Sequence, residues 1–550
     1  MNENENEHAF APLPQPILSI DDSPTVISED SAIIPEDITA PKPQKKTLRF
    51  GGRKISRRTL LIGASVVGLA AAGIAGGTLL AREQSVFAPG ANVTPAVEAN
   101  IAHLLRRAGF GGTQSDIQYY GSLGLTAAIN QLLNYETITD PIENQLSSMN
   151  FDFTKFADMQ RWWILRMLYT KRPLQEKMTL FWHGLLTSSA QKIGGPKNLP
   201  LLIQQNQFLR AHALDTFDNI LLGITQDPAM MWWLDLRLSR KNNPNENYAR
   251  ELLELFTLGV SSGYTQDDVR AAAFALTGWS LRNGASVYTP AQHNTATQTF
   301  LGQTGSFDYR DIIRIIAAHP AAGPHLATRL FSFFVHPNPS AEEIKPMVDA
   351  YYSSGHSVKA VMQAMFNAPA FFSAAAYRAR IKSPPEFVIG SIRQLELKTQ
   401  GQGVGGAMAA MGQSLFAPVN VAGWPGDTES EAWMNTATWL ARINLLNTAA
   451  NVPGFLAAET GNILAFETMT SDIAKHNLKS YGDFINYYAQ NFIDSALSSE
   501  RLALLTQFLQ INPYPSALQN ITFADGTKTS WETARNTIYI LLSGPEYQLN

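Results

Sequence analysis

From about residue 99 onward the apolar residues recur at three- and four-residue spacing and hardly ever alternate, so the pattern predicts one helix after another. Ala99 to Ala108 reads as an amphipathic helix ending at Gly109, and Thr113 or Ser115 caps the next. An aromatic-rich helix follows over Phe153–Tyr169, and Lys171-Arg172-Pro173 breaks it and starts Leu174–Ser188. Further helices are predicted at Leu199–His212, Phe217–Ile224, Pro228–Leu238, Asp308–Ala318, Pro324–Val335 and Ala341–Ser353. Val358–Phe366, Pro384–Leu395, Trp433–Leu446, Ser480–Phe492, Ser499–Leu509 and Trp531–Leu542 complete the set. The clearest start is Ser383 as cap, Pro384 at the first position and Glu386 at the third. Strand alternation is confined to Ala285–Tyr288 and Gln298–Leu301, and Gly401–Gly406 reads as a mobile loop. The expected class is all-α, one large multi-helix domain or two helical lobes.

The densest cluster of carboxylates and amides lies in Asn242–Trp279, read as two helices around a glycine-containing turn. At about 100° per residue, Glu246, Asn247, Arg250, Glu251 and Glu254 share one arc, and Ala249, Leu252, Leu255 and Phe256 the other. Asn243 before Pro244 is the expected cap of the first helix, and Gly259 its end. Thr265 caps the second, with Asp268 in the capping-box place and Tyr264 and Val269 spaced as a hydrophobic staple.

Residues 1–50 break the pattern. Acidic residues and prolines alternate with few large apolar groups, a composition that cannot offset its ordering entropy, so a disordered tail is expected. It turns basic at Lys45, Lys46, Arg49, Arg53 and Lys54, and within 51–82 Arg57-Arg58 precedes an uncharged run, residues 59–81. Paired arginines before a mildly apolar segment resemble a twin-arginine export signal, which implies the twin-arginine translocation machinery as a partner. As a helix the run would span roughly 34 Å, enough for a bilayer core. The positive charge lies on its N-terminal side, placing the tail in the cytoplasm and the body outside, periplasmic or extracellular. Leu79-Leu80-Ala81 is a poor cleavage site, which favours an uncleaved membrane anchor over a removed signal and a secreted body. Residues 83–98 form a linker to the helical domain, 99–550.

Composition narrows the chemistry. The formal net charge of -4 gives no electrostatic footprint for nucleic acid. The chain has no cysteine, which excludes disulfides, thiolate metal sites and cysteine nucleophiles.

Several motifs, in order along the body, carry one family resemblance. They are His103-Leu104-Leu105-Arg106-Arg107-Ala108-Gly109-Phe110-Gly111, Arg172-Pro173-Leu174-Gln175-Glu176-Lys177-Met178 through Phe181-Trp182-His183, and Asp227-Pro228-Ala229-Met230. Asn245-Glu246-Asn247-Tyr248-Ala249-Arg250-Glu251-Leu252 through Tyr264-Thr265 and Ala275-Leu276-Thr277-Gly278-Trp279 continue it. Lys382-Ser383-Pro384, Asn420-Val421-Ala422-Gly423-Trp424-Pro425-Gly426 and Pro545-Glu546-Tyr547 complete it, and the family these motifs resemble is a large bacterial one, domain of unknown function 1800. The resemblance implies an exported, largely helical protein without an established activity. It also implies an exported partner of the domain of unknown function 1501 type, similar to alkaline phosphatases and sulfatases. The family's second histidine after Phe-Trp-His is Leu185 here, and its aspartate after His293 is Asn294.

The catalytic candidates are His183, Glu246 and Glu251, and Asn206, Asn245, Asn247, Arg250 and His293 are polar-site candidates. Arg250 could hold neighbouring carboxylates ionised while Glu246 or Glu251 serves as a base. The plainer alternative is a solvated helix face with Glu246–Arg250 as an ordinary ion pair four residues apart. Glu176 and His183 are roughly 10.5 Å apart along a helix and cannot chelate one ion by themselves. Gly259-Val260-Ser261-Ser262-Gly263 matches G-x-S-x-G, but a helix precedes it where a nucleophile elbow needs a strand. Trp162/Trp163 and Trp232/Trp233 read as core aromatics more readily than as sugar platforms. Two functions are therefore expected as alternatives. One is a membrane-anchored binding or assembly protein working with the exported hydrolase-like partner. The other is a metal-assisted hydrolase using His183, Asn245, Glu246 and Glu251.

Overall fold

A computed structural model describes residues 97–451, 464–494 and 497–550. The acidic tail, the paired arginines and the apolar run 59–81 lie outside the described residues. Among those that are described, no helix is long and apolar enough to cross a membrane.

The first half runs α1 (Val97–Ala108), α2 (Gln114–Leu123), α3 (Leu125–Leu133), α4 (Ile142–Ser147), α5 (Phe156–Tyr169), α6 (Pro173–Leu185), α7 (Pro200–Ala211), α8 (Phe217–Thr225), α9 (Pro228–Trp233), α10 (Asn247–Glu251) and α11 (Gln266–Ala275). After two hairpins come α12 (Tyr309–Ala317), α13 (Ala322–Phe334), α14 (Ala341–Ser353), α15 (Val358–Asn367), α16 (Pro384–Gln394), α17 (Val404–Ala410) and α18 (Thr436–Asn451). α19 (Phe466–Lys475), α20 (Tyr481–Ile493), α21 (Ser499–Ile511), α22 (Trp531–Leu542) and α23 (Pro545–Gln548) close the fold. The protein is mostly helical, and among the described residues strand is limited to three antiparallel two-stranded hairpins. Ala285–Tyr288 pairs with Trp279–Arg282, Gln298–Phe300 with Gln303–Gly305, and Asn520–Thr522 with Lys528–Ser530.

One apolar core extends from Ile101 to Tyr547. α16 shows how the sequence builds it. Ser383 Oγ accepts the Glu386 N–H, Glu386 Oε2 accepts the Ser383 N–H at 2.7 Å, and Pro384 opens the first turn. Such a cap is worth about 1 kcal/mol. Phe387, Val388 and Ile389 are fully buried, each contributing roughly 1.5–3 kcal/mol. A methyl group on Gly390 would stand 3.0 Å from the Phe110 carbonyl, so glycine lets the α1–α2 turn rest on this helix. The chain's last residues pair beside it: Lys382 N–H donates to Gln548 O (2.8 Å) and Asn550 N–H to Arg380 O (2.7 Å).

Two expectations about helices are corrected. Asn243 does not cap a helix, because Arg240 and Asn243 exchange backbone hydrogen bonds in a tight turn and α10 begins only at Asn247. Its continuation, Leu252–Thr257, is wound as a π-turn, with the Leu258 N–H reaching back to Leu253 O. The regular 100° arc therefore describes only the first turn. Residues 401–406 are not all loop either: Val404 starts α17, which buries Val404 and Met408.

Candidate functional site

The motif residues lead inward. Lys177 Nζ donates to Glu386 Oε1 at 2.5 Å, and Asn550 Nδ2 donates to the same oxygen at 2.8 Å. Arg380 stands 3.5 Å away from it, and Arg107 Nη2 donates to the carbonyls of Ala376 and Asn550. Arg442 Nη2 holds Lys382 O at 2.7 Å, and the Lys382 ammonium lies 3.7 Å from the centre of the Tyr547 ring. Glu386 thus stands among five buried bases, Arg107, Lys177, Arg380, Lys382 and Arg442, and Arg380 and Lys177 also feel the Asp427 carboxyl. Burial alone would push the Glu386 carboxyl up, but Lys177, Arg380 and the Ser383 N–H outweigh it and hold it well below the usual carboxylate range. The same burial pulls Lys177 down to about 8 against the pull of Glu386.

Next to this layer, Arg210 grips Glu176 with two nitrogens, at 2.5 and 3.0 Å, and Trp163 Nε1 donates to Glu176 Oε2 at 3.0 Å. Asn206 Oδ1 accepts from Arg210 at 2.7 Å, while its Nδ2 has no partner among the described residues. His183 lies in the same interior. Burial lowers its pKa to about 3, so the ring is neutral. Its Nε2 accepts the Phe416 N–H at 3.2 Å, which leaves the proton on Nδ1. The rings of Trp163, Phe416 and Trp424 surround it at 5.3, 5.6 and 5.5 Å between centroids. His183 therefore anchors the segment 412–424 to α6. Gly423 takes φ +86° there, and a Cβ would come within 2.4 Å of Gly184 O, so only glycine lets this loop lie flat on the helix.

Beyond the anchored loop is a mainly apolar cleft of about 550 Å³ lined by Phe156, Gln191, Leu199, Ser414, Val419 and Trp424. Trp424 is 2% exposed and its indole N–H has no partner among the described residues.

The remaining predicted residues stand elsewhere, with their own partners. Glu246 accepts Gln266 Nε2 at 2.7 Å and pairs with Arg250 (3.3 Å) and Arg270 (3.7 Å) on a half-exposed face. Asn245 Oδ1 accepts the Asn247 N–H at 2.9 Å and so shapes the start of α10. Burial and then Glu254 raise the Glu251 carboxyl, with Arg250 opposing them. His293 is buried, with Nδ1 3.3 Å from Thr277 O, and Asn294 donates to Lys241 O at 2.8 Å. No hydrogen bond joins His183 to Asn245, Glu246 or Glu251. Among the described residues no group of three or more His, Asp or Glu side chains is placed to hold a metal ion.

Sequence reasoning missed two carboxyls that burial pushes up to about 7, Asp227 and Asp427. Asp227 caps α9 through the Met230 N–H (2.8 Å) and accepts Gln205 Nε2 (2.7 Å). Asp427 has no side-chain hydrogen bond among the described residues, and Arg329 and Arg380 draw its carboxyl back toward ionisation. Groups titrating there can exchange protons near neutrality. The signal for each was local: Asp-Pro at a helix start, and the glycine-rich approach to Asp427.

The fold and this interior define a mostly helical protein whose ordered motifs meet in buried polar layers. A family model described as "Protein of unknown function (DUF1800)" matches residues 103–549, and the chain belongs to that family. No curated protein and no solved structure matches it.

Proposed function

We propose that the chain is an exported, membrane-anchored binding or assembly protein that works at the cell surface with an exported hydrolase-like partner of the domain of unknown function 1501 type. Arg57 and Arg58 address it to the twin-arginine translocation machinery, residues 59–81 hold it in the cytoplasmic membrane, and the helical body works on the outer side. One observation carries the binding reading. Four motif side chains suited to chemistry, His183, Glu176, Lys177 and Glu386, are each engaged in buried contacts that hold helices and loops together, and Glu246 is held in ion pairs on a half-exposed face. What remains open to solvent are clefts, such as that beside Trp424.

The test is made on the full chain in cells of its source. Spheroplast protease should digest a membrane-bound body from outside, and the tagged chain should recover the exported hydrolase-like protein from detergent-solubilised membranes. A body shielded inside the cell overturns the placement. Recovery of the chain without that partner overturns the assembly reading.

A further inference from the structure

A second cleft, of about 750 Å³, lies between α2, the end of α5 and the end of α16. Two exposed tyrosine rings line it, Tyr119 (52% exposed) and Tyr169 (37%). Their hydroxyls are tied from behind. Tyr119 and Gln131 exchange hydrogen bonds at 2.9 and 3.2 Å, and Tyr169 donates to Thr399 O (2.8 Å) while accepting the Thr399 N–H (2.9 Å). The ring faces are thus presented rigidly and cost little entropy to use. Tyr120 is 7% exposed, lines the same cleft, and its hydroxyl has no hydrogen bond among the described residues. The charged lining is mixed, with Asp116 and Glu396 opposed by Lys171, Arg393 and Lys398.

Glu396 is the odd choice here. It follows α16 in the left-handed region (φ +54°), where the Glu396 N–H reaches Arg393 O and the Leu397 N–H reaches Ile392 O. Helix ends of this form favour glycine, and a negative charge at a helix C-terminus opposes the macrodipole. Burial, Asp472 and Asp116 also raise its carboxyl. It has no hydrogen bond or ion pair of its own among the described residues, whereas Asp116 is held by the Thr113 N–H (2.9 Å) and Arg393 (3.5 Å). Glu396 thus lines the cleft in a conformation that folding disfavours.

We propose that this cleft binds a neutral oligosaccharide, stacked on Tyr119 and Tyr169, with its hydroxyls hydrogen-bonded to Tyr120 and Glu396. Sugars offer an apolar C–H face and hydroxyls that both donate and accept, which is what the rings and the mixed rim complement. The near-balanced charge of the lining selects a neutral ligand. The inference stands apart from the membrane placement, because it is read on the purified full chain in detergent.

The experiment is calorimetric titration with cellohexaose, chitohexaose and maltohexaose. At least one should bind, Tyr119→Ala combined with Tyr169→Ala should weaken it at least tenfold in a protein that still melts in one cooperative transition, and Glu396→Gly should weaken it about fivefold while raising the melting midpoint. Failure of all three sugars to bind overturns the proposal. So does an affinity unchanged in the double tyrosine variant, or a Glu396→Gly protein that binds like the parent.

Discussion

Two clusters in this protein use the same residue types and come to opposite physical ends. Around Glu386, Lys177 and Arg380 lie in an interior from which water is excluded, and each N–H matters because nothing else can replace it. Around Glu246, Arg250, Gln266 and Arg270 lie on a half-exposed face where water competes for every contact. Sequence spacing displays only the second, through Glu246 and Arg250 four residues apart, and that spacing fits an ordinary ion pair on a solvated face. Yet the first gathers α1, α6, α16 and the last residues of the chain into one layer. Ion pairs that organise a fold are long-range and invisible to spacing, while those that spacing displays are often only solvated neighbours.

The sharpest way to break the comparison is Glu386→Gln. It removes the carboxylate that Lys177 and Arg380 face, and removing one partner of a buried pair costs about 3–5 kcal/mol. Urea unfolding should report that loss, and a change under about 1 kcal/mol would erase the distinction between the clusters. Adding Lys177→Met to Glu386→Gln should recover only the share that belongs to Lys177, because Arg380 and Arg107 stay buried without the carboxylate.

Asp227 tests the interior by pH. Folding favours its protonated form, with the carboxyl at about 7. Its contribution is therefore whole below the unfolded value, about 4, and is lost as pH rises toward 7, by at most about 4 kcal/mol. Asp227→Asn keeps an oxygen for the Met230 N–H and Gln205 but cannot titrate. Melting curves at pH 5 and pH 8 should show the parent losing more stability with rising pH than the variant. Equal slopes would mean that Asp227 is ionised in the folded protein throughout.

How far the sequence disclosed all this follows from range. Ser383, Pro384 and Glu386 announce α16 because a capping box is local chemistry. That Glu386 also neutralises Lys177 was illegible, since the two are 209 residues apart. His183 and Glu176, seven residues apart, share one face of α6. But α6 is buried on nearly every side, so that face meets other polar groups inside the protein rather than a solvent-filled site. At residues 401–406 the low helix propensity of glycine gave way to the packing of Val404 and Met408. Asn243 failed as a cap because the turn back to Arg240 uses its backbone first.

Thr265 sharpens the comparison from the local side. Its Oγ1 and the Asp268 carboxylate close a capping box on α11, and Asp268 also accepts the Leu301 N–H at 2.7 Å. Thr265→Ala should cost about 1 kcal/mol, read by thermal melting. A neutral result would mean that the Leu301 contact alone holds the helix start.

Glu246→Gln should have the smallest effect. Its side chain is 36% exposed, and the Arg250 and Arg270 contacts are at 3.3 and 3.7 Å, so the lost pairing is worth roughly 0.5 kcal/mol or less. The glutamine can still accept from Gln266 Nε2, the shortest contact that Glu246 makes. Whatever difference remains should shrink between low salt and about 1 M salt, where the screening length falls to about 3 Å. The Glu386→Gln loss should persist under the same salt, because ions do not reach the interior. A Glu246 effect that exceeds 1 kcal/mol and ignores salt would move this face into the same class as the buried layer, and would restore it as a site where a carboxylate is held for use.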